Sequence, residues 1–341
     1  MITTPMVLPL LIAMFLAINM GGSGTSPSFS SAYGADLIRK DLIPGLFGIF
    51  VFGGAILAGE KVALTLGRDI LPDACMTTPL VTVILLSVAL SLLAANLLRV
   101  PQSTSQATVC ALVGAAVFFR ALKSERLLLE IIPTWFILPI ASFVLTLALA
   151  RLLLRSRSES ASVSPSGGRI RRWLVIGGAC YVAFAIGSNN VANATGPVAV
   201  LIAKRFGTAA GEEPFGLVIL LATLIVAPCF GIGSSLLGGR VVDTTGKQIV
   251  DFGARGAAIV STVTATLLLL ASVTRGIPTS LVQMNTAAIL ALGVCKQGWR
   301  ATWTRSSVRR LLAVWIVAPL LSLCLSFGLC IVAERLGLLT V

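Results

Sequence analysis

The 341-residue sequence has no histidine, only two tyrosines and only 13 acidic side chains. Without histidine, imidazole acid–base relays and the commonest metal ligand are excluded. HExxH motifs and Ser/His pairings are absent with it, which argues against an intramembrane enzyme of those kinds. Cysteine offers no substitute. Cys75, Cys110, Cys180, Cys229, Cys295, Cys324 and Cys330 form no CxxC pair and mostly sit in or beside apolar runs, as small packing residues do. No cofactor or metal is therefore expected. Charge is scarce too: charged residues are 11% of the chain and apolar ones 56%. The mean hydropathy of +0.97 lies outside the range of soluble domains.

What remains is apolar length. A helix needs about 20 apolar residues to cross a bilayer. Ten segments approach this: 6–38, 42–58, 77–98, 101–119, 130–154, 173–203, 215–237, 254–273, 277–295 and 308–332, the first and sixth carrying polar interruptions. The runs are too long and too unalternating for barrel strands. The expected fold is all-α, a polytopic membrane protein. The apolar run from Met6 to Met20 has the length of a signal peptide but lacks a positive leading region, and it is read as the first membrane segment.

The net charge of +13 does not imply nucleic acid, because the basic residues lie in short loops beside apolar segments with no recurring basic and aromatic face. They report orientation instead. The densest loops, 155–172 and 296–310, should both face the cytoplasm. With the N-terminus outside and ten crossings, most of the 26 Lys and Arg fall inside, while Arg120, Lys123 and Arg126 fall outside. The expected organisation is a first membrane repeat over 1–154, a basic, Ser-rich cytoplasmic linker over 155–172, and a second repeat over 173–341.

The halves resemble each other in order. Gly21-Gly22-Ser23-Gly24 aligns with Gly187-Ser188-Asn189-Asn190. "PQSTSQ" at 101–106 aligns with "PTSLVQ" at 278–283, and "WFILPIAS" at 135–142 with "WIVAPLLS" at 315–322. Five crossings per half would make the two copies inverted in the membrane, with broken or re-entrant helices at the interruptions. Segments 101–119 and 277–295 either span or re-enter.

A proline marks each interruption: Pro27, Pro101, Pro197 and Pro278. Proline favours the first turn of a helix, after a Ser, Thr, Asn or Gly cap. Each interruption is therefore expected to be a helix start buried in the membrane. A helix start presents unpaired N–H groups and about half a positive charge, so several converging ones bind an anion without Lys or Arg. Donors are expected from Ser23, Gly24, Thr25, Ser26, Ser103, Thr104, Ser105, Gln106, Asn189, Asn190, Asn193, Ser280 and Gln283. The alternative use of such residues is helix–helix packing. "NAT" at 193–195 fits a glycan acceptor, but inside an apolar segment it is not expected to be modified.

"GSNNVANATGP" resembles the signature of the inorganic phosphate transporter (PiT) family, Gly-Ala-Asn-Asp-x-x-Asn, and the likeness extends over both halves, the basic loop and the Pro-x-Ser pairs. The family's aspartate position is Asn190 here, and the first-half copy has Gly24 at that place. No carboxylate remains in either motif. Protonated phosphate carries O–H donors and benefits from an acceptor, whereas sulfate is fully ionised and is repelled by one. Together with "NMGGSG" and "PQSTSQ", this makes the chain similar to the bacterial sulfate permease branch. That resemblance implies uptake of sulfate, with thiosulfate admitted, across the cytoplasmic membrane. A phosphate symporter of the same family and a passive anion channel are the alternatives, and a homodimer is implied by likeness alone.

A dianion entering a negative-inside cell is opposed by about 2.3 kcal/mol per charge per 100 mV, so uptake needs cation coupling. Protons are favoured and sodium is the alternative. The carboxylates near segment ends are Asp36, Glu60, Glu130, Asp243 and Glu334. Glu60 is preferred because "GGAILAGE" stands where the second half has "GSSLLGGR". Arg99 and Arg275 flank the Pro-x-Ser starts, as helix anchors or as attractors of the anion.

Overall fold

The computed structural model describes residues 4–98, 102–154, 165–207, 213–239, 253–303 and 306–339. Their regular structure is helical, without a strand among them. In the first half, α1 (Thr4–Gly34), α2 (Ile43–Ala58), α3 (Glu60–Arg68), α4 (Thr78–Leu97), α5 (Thr104–Phe118) and α6 (Ile132–Leu154) follow in order, the last preceded by a π-turn at Leu127–Ile131. The second half has α7 (Pro165–Asn190), α8 (Ala192–Arg205), α9 (Glu213–Val226), α10 (Pro228–Gly233), α11 (Gly253–Leu270), α12 (Leu281–Gln297) and α13 (Ser306–Arg335). Eight helical runs among the described residues are long and apolar enough to cross a bilayer. Large apolar side chains stand exposed on their outer faces, as with Phe136, Ile140 and Val144 at four-residue steps on α6. Lipid is the solvent for such a face.

Segment 101–119 is not a full-length span. Its helix, α5, has only 15 residues and begins after a non-helical approach. Segment 277–295 behaves likewise, with a non-helical stretch at 276–280 before α12. Of the expected linker, 155–164 lie outside the described residues, and 165–172 already belong to α7. Arg99, Pro101, Arg240 and Asp243 also lie outside them.

The core is made by crossings between the halves. A Cβ on Gly54 of α2 would lie 1.9 Å from the carbonyl oxygen of Phe184 in α7, and one on Gly187 would lie 2.0 Å from that of Val51. The same device joins α1 to α10: a Cβ on Gly233 would lie 1.9 Å from the carbonyl oxygen of Ile18 and one on Gly21 2.2 Å from that of Phe230. In each pair the glycine follows the touched carbonyl of its own helix by three residues, and Gly21 and Gly187 are the residues aligned by sequence. Backbones this close require glycine, as small-residue crossings in membranes do. A π-turn at Ser234–Gly238 follows Gly233.

Further reciprocity appears outside this core. α5 packs on α13, with Gly114 against the carbonyl of Leu323, and α12 packs on α6, where Ser142 donates to the carbonyl of Met284 at 2.8 Å. Contacts also sort the loops by side. Lys204 donates to the carbonyl of Met76 at 3.1 Å, and the Lys123 N–H to that of Ile70 at 3.0 Å, placing the ends of α8 and α5 beside the loop before α4. Lys40 approaches Gly239 at another such cluster.

Candidate functional site

The two Pro-x-Ser segments are helix starts. Ser103 caps α5, its Oγ accepting from the Gln106 N–H at 3.3 Å, and Ser280 caps α12 by accepting from the Gln283 N–H at 3.2 Å. Both caps have extended backbone. The first N–H groups of each helix, at Thr104, Leu281 and Val282, are left without an intrahelical acceptor. Gly276 makes the turn that delivers the second start: its φ is +63°, and a Cβ there would lie 2.6 Å from the Lys61 carbonyl oxygen.

The two starts converge with the middle of α1 and the end of α7. Ser23, Gly24, Pro27, Gln102, Ser103, Thr104, Ile186, Asn190, Thr279, Ser280, Leu281 and Val282 line one recess. None of these side chains is charged. Of the residues picked out by sequence, Ser23, Gly24, Ser103, Thr104, Asn190 and Ser280 meet at this wall. Thr104 Oγ1 accepts from Asn193 Nδ2 at 3.4 Å, which leaves its own proton to donate. The Asn190 Oδ1 is buried without a partner.

The remaining expected donors bond to protein instead. Asn189 is saturated: its Oδ1 accepts from Ser105 Oγ at 3.0 Å and from the Thr279 N–H at 3.2 Å, while its Nδ2 donates to Ser272 Oγ and the Ile277 carbonyl. It thereby fastens both helix starts to α7. Asn193 donates to Thr104 and to Ser105. Gln106 and Gln283, at equivalent positions of the halves, exchange two amide hydrogen bonds of 3.0 Å. Thr25 is within 2.7 Å of the Gly21 carbonyl and 2.8 Å of Ser234 Oγ, and Ser26 pairs with Ser30 at 2.9 Å.

Two of the four expected helix starts are not starts. Pro27 lies within the continuous helix α1, and Pro197 within α8. The break near the second falls earlier, at Val191 between α7 and α8. Small neighbours let the helices continue through proline, at the cost of the hydrogen bond each proline cannot donate. Pro27 thus leaves the Ser23 carbonyl without its helical donor, and the Ser23 hydroxyl donates to Met20. Glu60 is exposed at the start of α3 and is not at the recess wall.

Sequence reasoning missed Gln102 and Thr279. The signal was present: each is the middle residue of Pro-x-Ser, in the same place in both halves. One further contact seals the assembly. Arg126 pairs with the Asp69 carboxylate and also donates to the Arg275 carbonyl, tying the approach to α12 onto the first half.

A helical membrane fold that buries an uncharged polar recess between two helix starts has the architecture of a membrane transporter. Comparison with known proteins agrees. A model of the phosphate transporter family matches residues 20–326, and the chain belongs to that family. It is 34% identical over 319 residues to a sulfate permease of Bacillus subtilis, covering 93% of this chain and 85% of that protein. It is 26% identical to a chloroplastic inorganic phosphate transporter of Arabidopsis thaliana over 239 residues, 64% of this chain and 36% of the other. A solved sodium-dependent phosphate transporter shares the fold with a TM-score of 0.82 at 20% identity, over 98% of this chain and 100% of that one. The chain is therefore a multi-pass membrane transporter.

Proposed function

We propose that the protein imports sulfate, admitting thiosulfate, across the cytoplasmic membrane by cation-coupled alternating access. The observation that carries this is the recess wall: two capped helix starts and neutral amides, with no carboxylate. Backbone N–H groups and hydroxyls there donate to an ion that only accepts. The name of the Bacillus relative supports the same substrate.

Alternating access draws support from an asymmetry between equivalent parts. Trp135 Nε1 donates to the Pro278 carbonyl at 2.9 Å and Ser142 donates to that of Met284, whereas among the described residues their counterparts Trp315 and Ser322 have no hydrogen-bond partner. One half is engaged where the other is not, as expected if the halves exchange roles during transport. Coupling to protons is favoured, with sodium as the alternative. Glu60 remains the coupling candidate only as an exposed group, since no carboxylate lines the recess.

Counterflow of labelled sulfate into proteoliposomes tests the proposal, with thiosulfate, molybdate and phosphate as competitors. Sulfate and thiosulfate are expected to compete strongly and phosphate weakly. The reverse order would make the protein a phosphate symporter. Uptake that reverses freely with voltage and ignores cation gradients would make it a channel.

A further inference from the structure

Gln102 is the wall residue that the helix starts do not require. Ser103 caps α5 without it, and its counterpart Thr279 holds its own turn through a backbone N–H to Asn189. Its amide does something else. Gln102 is 4% exposed, and its Nε2 donates to Ser91 Oγ of α4 at 2.8 Å, while its Oε1 is buried with no partner. Buried acceptors are rarely left unpaired, so an unpaired one at the wall of a recess marks a place where a ligand completes the bonding.

The two ends of a carboxamide are alike in size and opposite in hydrogen bonding. Ser91 accepts either end, because a hydroxyl both donates and accepts. With Nε2 on Ser91, the end left for a ligand is the acceptor Oε1. Turned over, Ser91 donates to Oε1 and the NH₂ group faces the recess with two donors. The first arrangement suits an oxyanion that still carries a proton, and the second suits one that is fully ionised.

We propose that Gln102, held by Ser91, is a specificity-determining residue that reads the protonation of a bound tetrahedral oxyanion by which end of its amide it turns inward. This rests on the oxyanion reading of the recess but not on which oxyanion is carried.

The test is the ratio of sulfate to phosphate recognition, measured by counterflow below and above the second ionisation of phosphate. Gln102→Glu fixes acceptors at the wall with nearly unchanged shape. It is expected to raise the sulfate KM by about tenfold or more, from the loss of a charge-assisted hydrogen bond. It should also increase competition by phosphate, most at the lower pH. Gln102→Met keeps the volume and removes both ends, and should weaken all oxyanions without the pH-dependent change of ratio. Gln102→Asn, with both amide ends on a shorter stem, is the second variant should the carboxylate disturb folding: a raised KM at an unchanged ratio is expected. Wild-type KM and ratio in all three variants would overturn the assignment. If the wild-type protein moves no sulfate, the sulfate reading fails by itself, and Gln102 is then judged by the ratio between any two oxyanions that displace one another.

Discussion

Asn189 and Asn190 are neighbours in sequence with different duties. Asn189 spends all four of its hydrogen-bonding positions on protein groups, so it holds the recess together without facing it. Asn190 lines the recess, and its Oδ1 has no protein partner. Asn190→Asp places a negative charge where the account puts a dianion. Like charges a few ångströms apart repel by several kcal/mol at an effective dielectric of about 20, part of which proton uptake relieves. The sulfate KM should therefore rise about tenfold or more, and the defect should shrink as pH falls and the new carboxylate protonates. Kinetics across pH in proteoliposomes check this, and unimpaired sulfate transport would remove the argument from absent carboxylates. At this scale the sequence was only partly legible. It marked six of the wall residues, because polar side chains in an apolar run stand out. It gave no means of telling a side chain that faces a ligand from one that faces another helix: Gln106, Gln283, Thr25 and Ser26 carry the same signal as Ser103 and Ser280, yet bond to protein.

Among elements, the helix starts of α5 and α12 are held level by the Gln106–Gln283 exchange. Replacing one glutamine strands the other in a place without water, which costs about 1–3 kcal/mol, while replacing both by leucine leaves nothing unpaired. Gln106→Leu should lower the thermal midpoint of the purified protein more than Gln106→Leu with Gln283→Leu. A double variant at least as destabilised as the sum of the singles would show that the pair is not coupled. The starts of α5 and α12 were legible because Ser followed three residues later by Gln encodes a capped first turn. Those expected at Pro27 and Pro197 were not realised, since proline is tolerated inside membrane helices and its presence alone does not locate a break. Nor does composition reveal that Gly54, Gly187, Gly21 and Gly233 face backbone across helices, because apolar runs carry many glycines that face nothing in particular.

For the molecule as a whole, loop contacts predict sidedness. The ends of α5 and α8 share one side, and the surroundings of Lys40 and Gly239 share a different one. Together with the positive-inside tendency, this puts Lys123 and Gly207 outside and Lys40 and Gly239 inside. Single cysteines at these four positions, in a background without the native exposed thiols, should react with a membrane-impermeant reagent in intact cells at 123 and 207 only. Labelling of position 40 or 239 from outside would contradict this sidedness. Hydropathy made the all-helical membrane class plain, while the short lengths of α5 and the approach to α12 depended on three-dimensional packing.

The central claim is that a fully ionised oxyanion sits between the starts of α5 and α12, held by N–H groups, hydroxyls and amides without any cationic side chain. A structure of the protein with selenate, located by its anomalous scattering, tests this most directly. Selenate is expected in this recess, with its oxygens within hydrogen-bonding reach of Thr104, Leu281, Val282 and Asn190. Selenate bound at lysine or arginine side chains, with this recess left empty, would contradict it.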